Sequence, residues 1–184
     1  MISKNLLEAF NDQLNASMNS SFLYLAMSSY FEEAELHGFA NWMRLQTTKE
    51  IERTMKFYHY IVDRFGRVSL QTVNSPSAQW YSVQAVFEEI CDHLLIETGR
   101  INALVELARK ENDKASENFL QWFVEDQVEK EATAGRILSM VKKAGDSQPA
   151  MLMLDRELAK HRPPGPFDAP RERQSEKPLR FDVD

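Results

Sequence analysis

Four stretches of the chain repeat apolar residues at spacings of three and four, and each repeat turns polar in its middle. The first runs Phe10, Leu14, Ser17, Ser21, Tyr24, Ser28, Phe31, and the second Phe39, Met43, Gln46, Glu50, Arg53, Phe57, Tyr60. The third runs Phe87, Ile90, Leu94, Glu97, Ile101, Leu104, Ala108, and the fourth Phe119, Phe123, Asp126, Lys130, Thr133, Ile137, Met140. This spacing lays each set along one face of an α-helix. It predicts long helices over 3–36, 39–65, 82–111 and 114–144. Ser3 and Ser82 are the expected N-caps, and Gly38, Gly66 and Gly145 the expected breaks. A shorter helix is predicted over 149–160, with Met151, Leu152, Leu154 and Leu158 as its apolar face.

The connections set the topology. Asn112-Asp113 is a tight turn, so the third and fourth helices are antiparallel neighbours. Residues 67–81 hold Pro76 and no helical seam, and they are long enough to carry the chain along the whole bundle. The third helix therefore need not run against the second. From Arg162 onward Pro163, Pro164, Gly165, Pro166, Pro170 and Pro178 leave no helix. The expected organisation is an all-α four-helix bundle over 1–161, with a long crossover and a short fifth helix. A proline-rich tail over 162–184, expected to be disordered or to lie on a surface, follows.

The four polar middles would meet near the midplane of such a bundle. A charged layer inside a core is costly unless its charges are paired or bind metal. Glu50, Glu97 and Asp126 are the candidate ligands on the seams, and Arg53 and Lys130 lie on the same seams as candidate counter-ions. His37, His59, His93 and His161 are scattered, without close metal-ligand spacing, and read as surface residues. Met27, Met43 and Met55 read as packing residues, which gives no indication of haem.

Composition narrows the partners. The net charge of −6 leaves no basic surplus for nucleic acid. A single cysteine, Cys91, excludes an intrachain disulfide and fits a reducing compartment. Neither a secretory signal nor an apolar run long enough to span a membrane is visible, so a cytoplasmic location is expected.

Three segments carry a resemblance. Ser20-Ser21-Phe22-Leu23-Tyr24-Leu25-Ala26-Met27 resembles the first helix of non-haem bacterial ferritins. Ala40-Asn41-Trp42-Met43-Arg44 with Lys49-Glu50-Ile51-Glu52-Arg53 and Met55-Lys56-Phe57-Tyr58 resembles their second. Asn118-Phe119-Leu120-Gln121-Trp122-Phe123-Val124-Glu125-Asp126-Gln127-Val128-Glu129 resembles their fourth. The similarity runs from Met1 to His161 without an obvious gap. It implies a subunit of a hollow 24-subunit cage that stores iron, with the fifth helix at the four-fold axes. It also implies oxidation of Fe(II) at a two-iron site inside each bundle. Two ferrous ions need several hard carboxylates and one imidazole.

Position by position, most of that ligand set is replaced. Ser17 stands where the family has a glutamate, Arg53 where it has the histidine following Glu50, and Leu94 where it has a glutamate on the third helix. Asp126 is a shortened glutamate, Lys130 replaces a further one, and Lys49 replaces an acid beside the site. Glu50 and Gln127 are retained, as is the aromatic neighbour Tyr24. Glu129 and Glu52 match positions that face the family's cavity or an outer iron site, although Lys49, Lys56 and Lys130 dilute any acidic patch there. The resemblance thus implies a storage subunit with a degenerate centre, in a homomeric cage or one mixed with an active ferritin chain. The alternatives are a ferroxidase rearranged around Glu50, Glu97, Asp126, Gln127 and Glu129, and a cage kept for a structural role or another cargo.

Overall fold

The computed structural model describes residues 2–77 and 79–160. The expected tail over 162–184 and His161 lie outside the described residues. Five helices follow in order: α1 (Lys4–Glu33), α2 (His37–Asp63), α3 (Val83–Lys110), α4 (Lys114–Ala144) and α5 (Gln148–Leu158). No strand occurs among the described residues. Ser3, Ser82 and Asp113 cap the first, third and fourth helices by accepting from Leu6, Ala85 and Ser116 backbone N–H groups.

Gly38 does not break the chain as expected; it lies in the first turn of α2. The break falls just before it, where Glu35 takes the left-handed conformation at φ 57°. Gly38 is small for a different reason. A Cβ there would stand 1.8 Å from the backbone oxygen of Asp155, and the neighbouring Phe39 N–H donates to Asp155 Oδ1 at 3.0 Å. The glycine lets α5 dock on the start of α2. On α5, Leu158 is buried and Met151 and Leu154 are half-buried. Leu152, expected on the apolar face, is exposed, because α5 meets the bundle along a narrower stripe.

The crossover fixes the direction of the second helix pair. Asn11, Asn15 and Asn19, one turn apart on α1, hold it as a ladder. Asn11 Oδ1 accepts from Ser69 N–H at 2.6 Å, Asn15 Oδ1 from Gln71 N–H at 2.9 Å, and Asn19 Oδ1 from Asn74 N–H at 2.8 Å. Asn11 and Asn15 Nδ2 also donate to the Arg67 and Ser69 carbonyls at 3.1 and 2.8 Å. The crossover therefore ascends alongside α1, from Arg64, which accepts from Ile2 N–H, to Trp80, which packs on Tyr30. Consequently α3 starts at the far end of α1 and runs parallel to α2. Replacing Asn15 by leucine leaves crossover backbone groups without partners, at about 1–3 kcal/mol each when buried. We expect a lower melting temperature and faster amide hydrogen exchange confined to residues 67–75; exchange unchanged there would mean the ladder does not hold the crossover.

Two apolar clusters fill the bundle. One gathers Phe31, Phe39, Trp42, Phe87 and Ile137, and the other Phe10, Phe57, Ile101, Leu104 and Phe123. Between them lies a belt of buried polar side chains: Ser17, Ser20, Gln46, Glu50, Arg53, Glu97, Gln127 and Lys130.

Candidate functional site

Each long helix contributes one or two turns to the belt. On α2, Glu50 and Arg53 are one turn apart and 0% and 1% exposed. On α3, Glu97 is buried; on α4, Gln127 and Lys130 are buried, while the Asp126 side chain is 22% exposed. Lys130 Nζ donates to Glu50 Oε1 and, at 3.0 Å, to Glu97 Oε2, so one ammonium joins carboxylates from two different helices. Arg53 Nη1 pairs with Asp126 Oδ2, and its Nε lies 3.5 Å from Glu50 Oε2. The guanidinium also reaches Gln127 Oε1 at 3.5 Å and lies over the Phe123 ring, 5.2 Å from its centroid. Gln127 in turn donates to the Leu94 carbonyl at 3.0 Å. Glu50 Oε2 and Arg53 Nε, which face each other, have no hydrogen bond.

The two carboxylates that share Lys130 are shifted in opposite directions. Burial pushes Glu50 up and Glu97 adds to that; Lys130 and Arg53 pull it back only in part, leaving it raised. Burial acts on Glu97 as well. There Lys130, the His93 hydrogen bond and Arg53 outweigh it and hold the carboxyl well below the usual range. Of these two, Glu50 is therefore the first to take up a proton on acidification. Burial, reinforced by Glu97 and Glu50, raises Tyr24 well above an ordinary phenol, so it stays neutral.

The remaining positions singled out from the sequence are placed as follows. Ser17 is buried and its Oγ accepts from Gln13 Nε2 at 3.5 Å. Leu94 belongs to the apolar cluster above the belt, together with Tyr24. Glu129 is exposed and stands outside the ion-paired group. A cavity of about 620 Å³ between α2, α4 and α5 reaches the belt; Tyr24, Lys49, Asp126, Glu129 and Lys130 are among its lining residues.

Two residues join the site that the sequence reading passed over. His93, expected at the surface, is half-buried and pairs with Glu97 Oε1 at 3.5 Å. Ser20 donates to the same oxygen at 2.8 Å and lies 2.8 Å from His93 Nε2. The signal was present: His93 precedes Glu97 by four residues, one turn on the same face.

Chemically, the layer holds three acidic and two basic side chains, each basic group seated against two carboxylates. Among the described residues no group of three or more His, Cys, Asp or Glu is arranged to hold a metal ion. No helix among them is long and apolar enough to cross a membrane.

Comparison with known proteins agrees with the fold. The ferritin-like domain family matches residues 7–144. A bacterial non-heme ferritin of Bacteroides fragilis (strain 638R) is 39% identical over 158 residues, covering 86% of this chain and 98% of that one. Its counterpart in Staphylococcus aureus (strain MRSA252) is 34% identical over 158 residues, 86% of this chain and 95% of that one. Among solved structures, an open-pore ferritin from the hyperthermophilic archaeon Archaeoglobus fulgidus superposes with a TM-score of 0.86 at 44% identity, covering 86% and 98% of the two chains. Similarity at this level, across nearly the whole of each relative, establishes that the chain belongs to the ferritin family, in its non-haem branch.

Proposed function

We propose that this chain is an iron-storage cage subunit whose intra-subunit two-iron centre is silenced by its own cations. The observation that carries the reading is the position of Lys130, seated between Glu50 and Glu97 inside the belt. A ferrous pair would draw on those carboxylates, and the ammonium is already ion-paired with both. Arg53 holds Asp126 in the same way and cannot deprotonate to become a ligand. Glu50, Glu97, Asp126, Gln127 and Glu129 remain the residual metal candidates, with four of the five engaged in ion pairs or hydrogen bonds. Iron is cargo in this account, haem has no role, and the location is cytoplasmic.

The folding unit is the bundle over 1–161, with 162–184 as an appended tail. The assembly is a 24-subunit cage, homomeric or shared with an active ferritin chain that supplies the oxidation. Intact-mass analysis of cages purified from the native cell tests the partner. Two ferritin chain types in one cage would support sharing, and a single chain type would count against it.

A further inference from the structure

The ion pairs do not use the whole belt. Glu97 turns Oε2 toward Lys130 and Oε1 the other way, to the α1 side. There Glu97 Oε1, Ser20 Oγ and His93 Nε2 form a triangle. Its edges are 2.8 Å from Ser20 to Glu97, 2.8 Å from Ser20 to His93, and 3.5 Å from His93 to Glu97. Two donors that bind one ion at ~2.1 Å, with tetrahedral or octahedral angles, lie about 3.0–3.5 Å apart. The three atoms are thus close to ligand spacing without rearrangement of the backbone.

Three further facts favour an ion at this point. Imidazole nitrogen with carboxylate and hydroxyl oxygen is a donor set for divalent first-row transition ions. Ser20 Oγ also lies 3.0 Å from the Ala16 carbonyl, so its proton can turn there and leave its lone pairs for an ion. The triangle opens on a cavity of about 420 Å³, lined by Asn19, Asn74, Ser75 and Ser77 as well as His93 and Glu97, with room for water to complete a coordination shell.

We propose that His93, Glu97 and Ser20 form a mononuclear divalent transition-metal site on the α1–α3 side of the bundle. Glu97 bridges the ion and the Lys130 ammonium, so the site is backed by the ion-paired layer. It uses Glu97 Oε1, the oxygen turned away from Lys130, and so shares that residue, but not that oxygen, with the residual two-iron candidates.

The test is Co²⁺ binding to the metal-stripped, assembled, full-length protein, followed by visible ligand-field absorbance and equilibrium dialysis. The wild type, His93→Gln and Ser20→Ala are compared. Ions bound elsewhere persist in all three and cancel in the difference. The expected result is one Co²⁺ per subunit in the wild type whose affinity falls at least about tenfold in His93→Gln. Ser20→Ala, which leaves both charged groups in place, is expected to bind more weakly and to change the absorbance spectrum. Wild-type binding that His93→Gln leaves unchanged would overturn the site, as would no binding by the wild type. Co²⁺ does not report on Fe(II) oxidation. A fast ferroxidase phase that survives His93→Gln would therefore contradict the silent centre and leave this site untouched.

Discussion

Replacing Lys130 by methionine is expected to destabilise the subunit by about 3–5 kcal/mol, the loss found when one partner of a buried ion pair is removed. The mechanism is specific. Lys130 Nζ is the group that separates the Glu50 and Glu97 carboxylates, both buried in the same layer. Methionine keeps the apolar stem and removes the charge, so packing changes little and two carboxylates remain in a low-dielectric core. For a chain of this size the loss corresponds to a fall of roughly 10 °C in melting temperature, compared at fixed subunit concentration.

The pH dependence identifies the cause. In the wild type Glu97 is depressed, so it contributes stability that is present above the unfolded carboxyl pKa and is lost as pH falls. Glu50 is raised and acts in the opposite sense, its contribution fading as pH rises. Without Lys130 both carboxyls lose the charge that lowers them most, so both move up. Raised carboxyls are least costly when protonated, and their cost grows as pH climbs above the unfolded value of about 4.3. The deficit of Lys130→Met should therefore be smaller at pH 5 than at pH 8. Adding Glu50→Gln, which removes one of the stranded charges, should recover part of it. A variant melting with the wild type at both pH values would show that the ammonium does not neutralise the layer.

The second large effect is a gain of activity. Restoring the family pattern with Ser17→Glu, Arg53→His, Leu94→Glu and Lys130→Glu together should create a fast Fe(II) oxidation phase that saturates near two iron per subunit. It exchanges two cations and two neutral side chains for ligands while Glu50, Asp126 and Gln127 stay in place. The same protein should be strongly destabilised without metal, since it gathers carboxylates in a core with nothing to balance them. Metal binding should then restore stability, by about 2.7 kcal/mol at a hundredfold excess over Kd. A redesigned cage that is stable without metal and still inactive would mean that the ligand positions were assigned wrongly.

Much of the bundle was legible because its signals are local. The four seams found the four long helices, and Ser3 and Ser82 marked two starts, since capping depends on a few neighbouring residues. Glu50, Arg53, Glu97, Asp126 and Lys130 stood out because charge on an otherwise apolar face needs an explanation, and the fold brings all five together. What escaped notice depends on contacts between segments distant in sequence. Asn11, Asn15 and Asn19 carry no signal of their own in the sequence, because their crossover partners lie more than fifty residues away. Gly38 read as a breaker because the approach of Asp155 is invisible in one dimension. His93 read as a surface residue because its partner on another helix, Ser20, lies 73 positions away.

The most direct measurement is the rate of Fe(II) oxidation by oxygen at two iron per subunit, compared with buffer lacking protein. A rate equal to the buffer background is expected, because Arg53 and Lys130 hold the carboxylates that the ions would need. A rapid phase saturating near two iron per subunit would contradict it and show that a different ligand set works in this bundle.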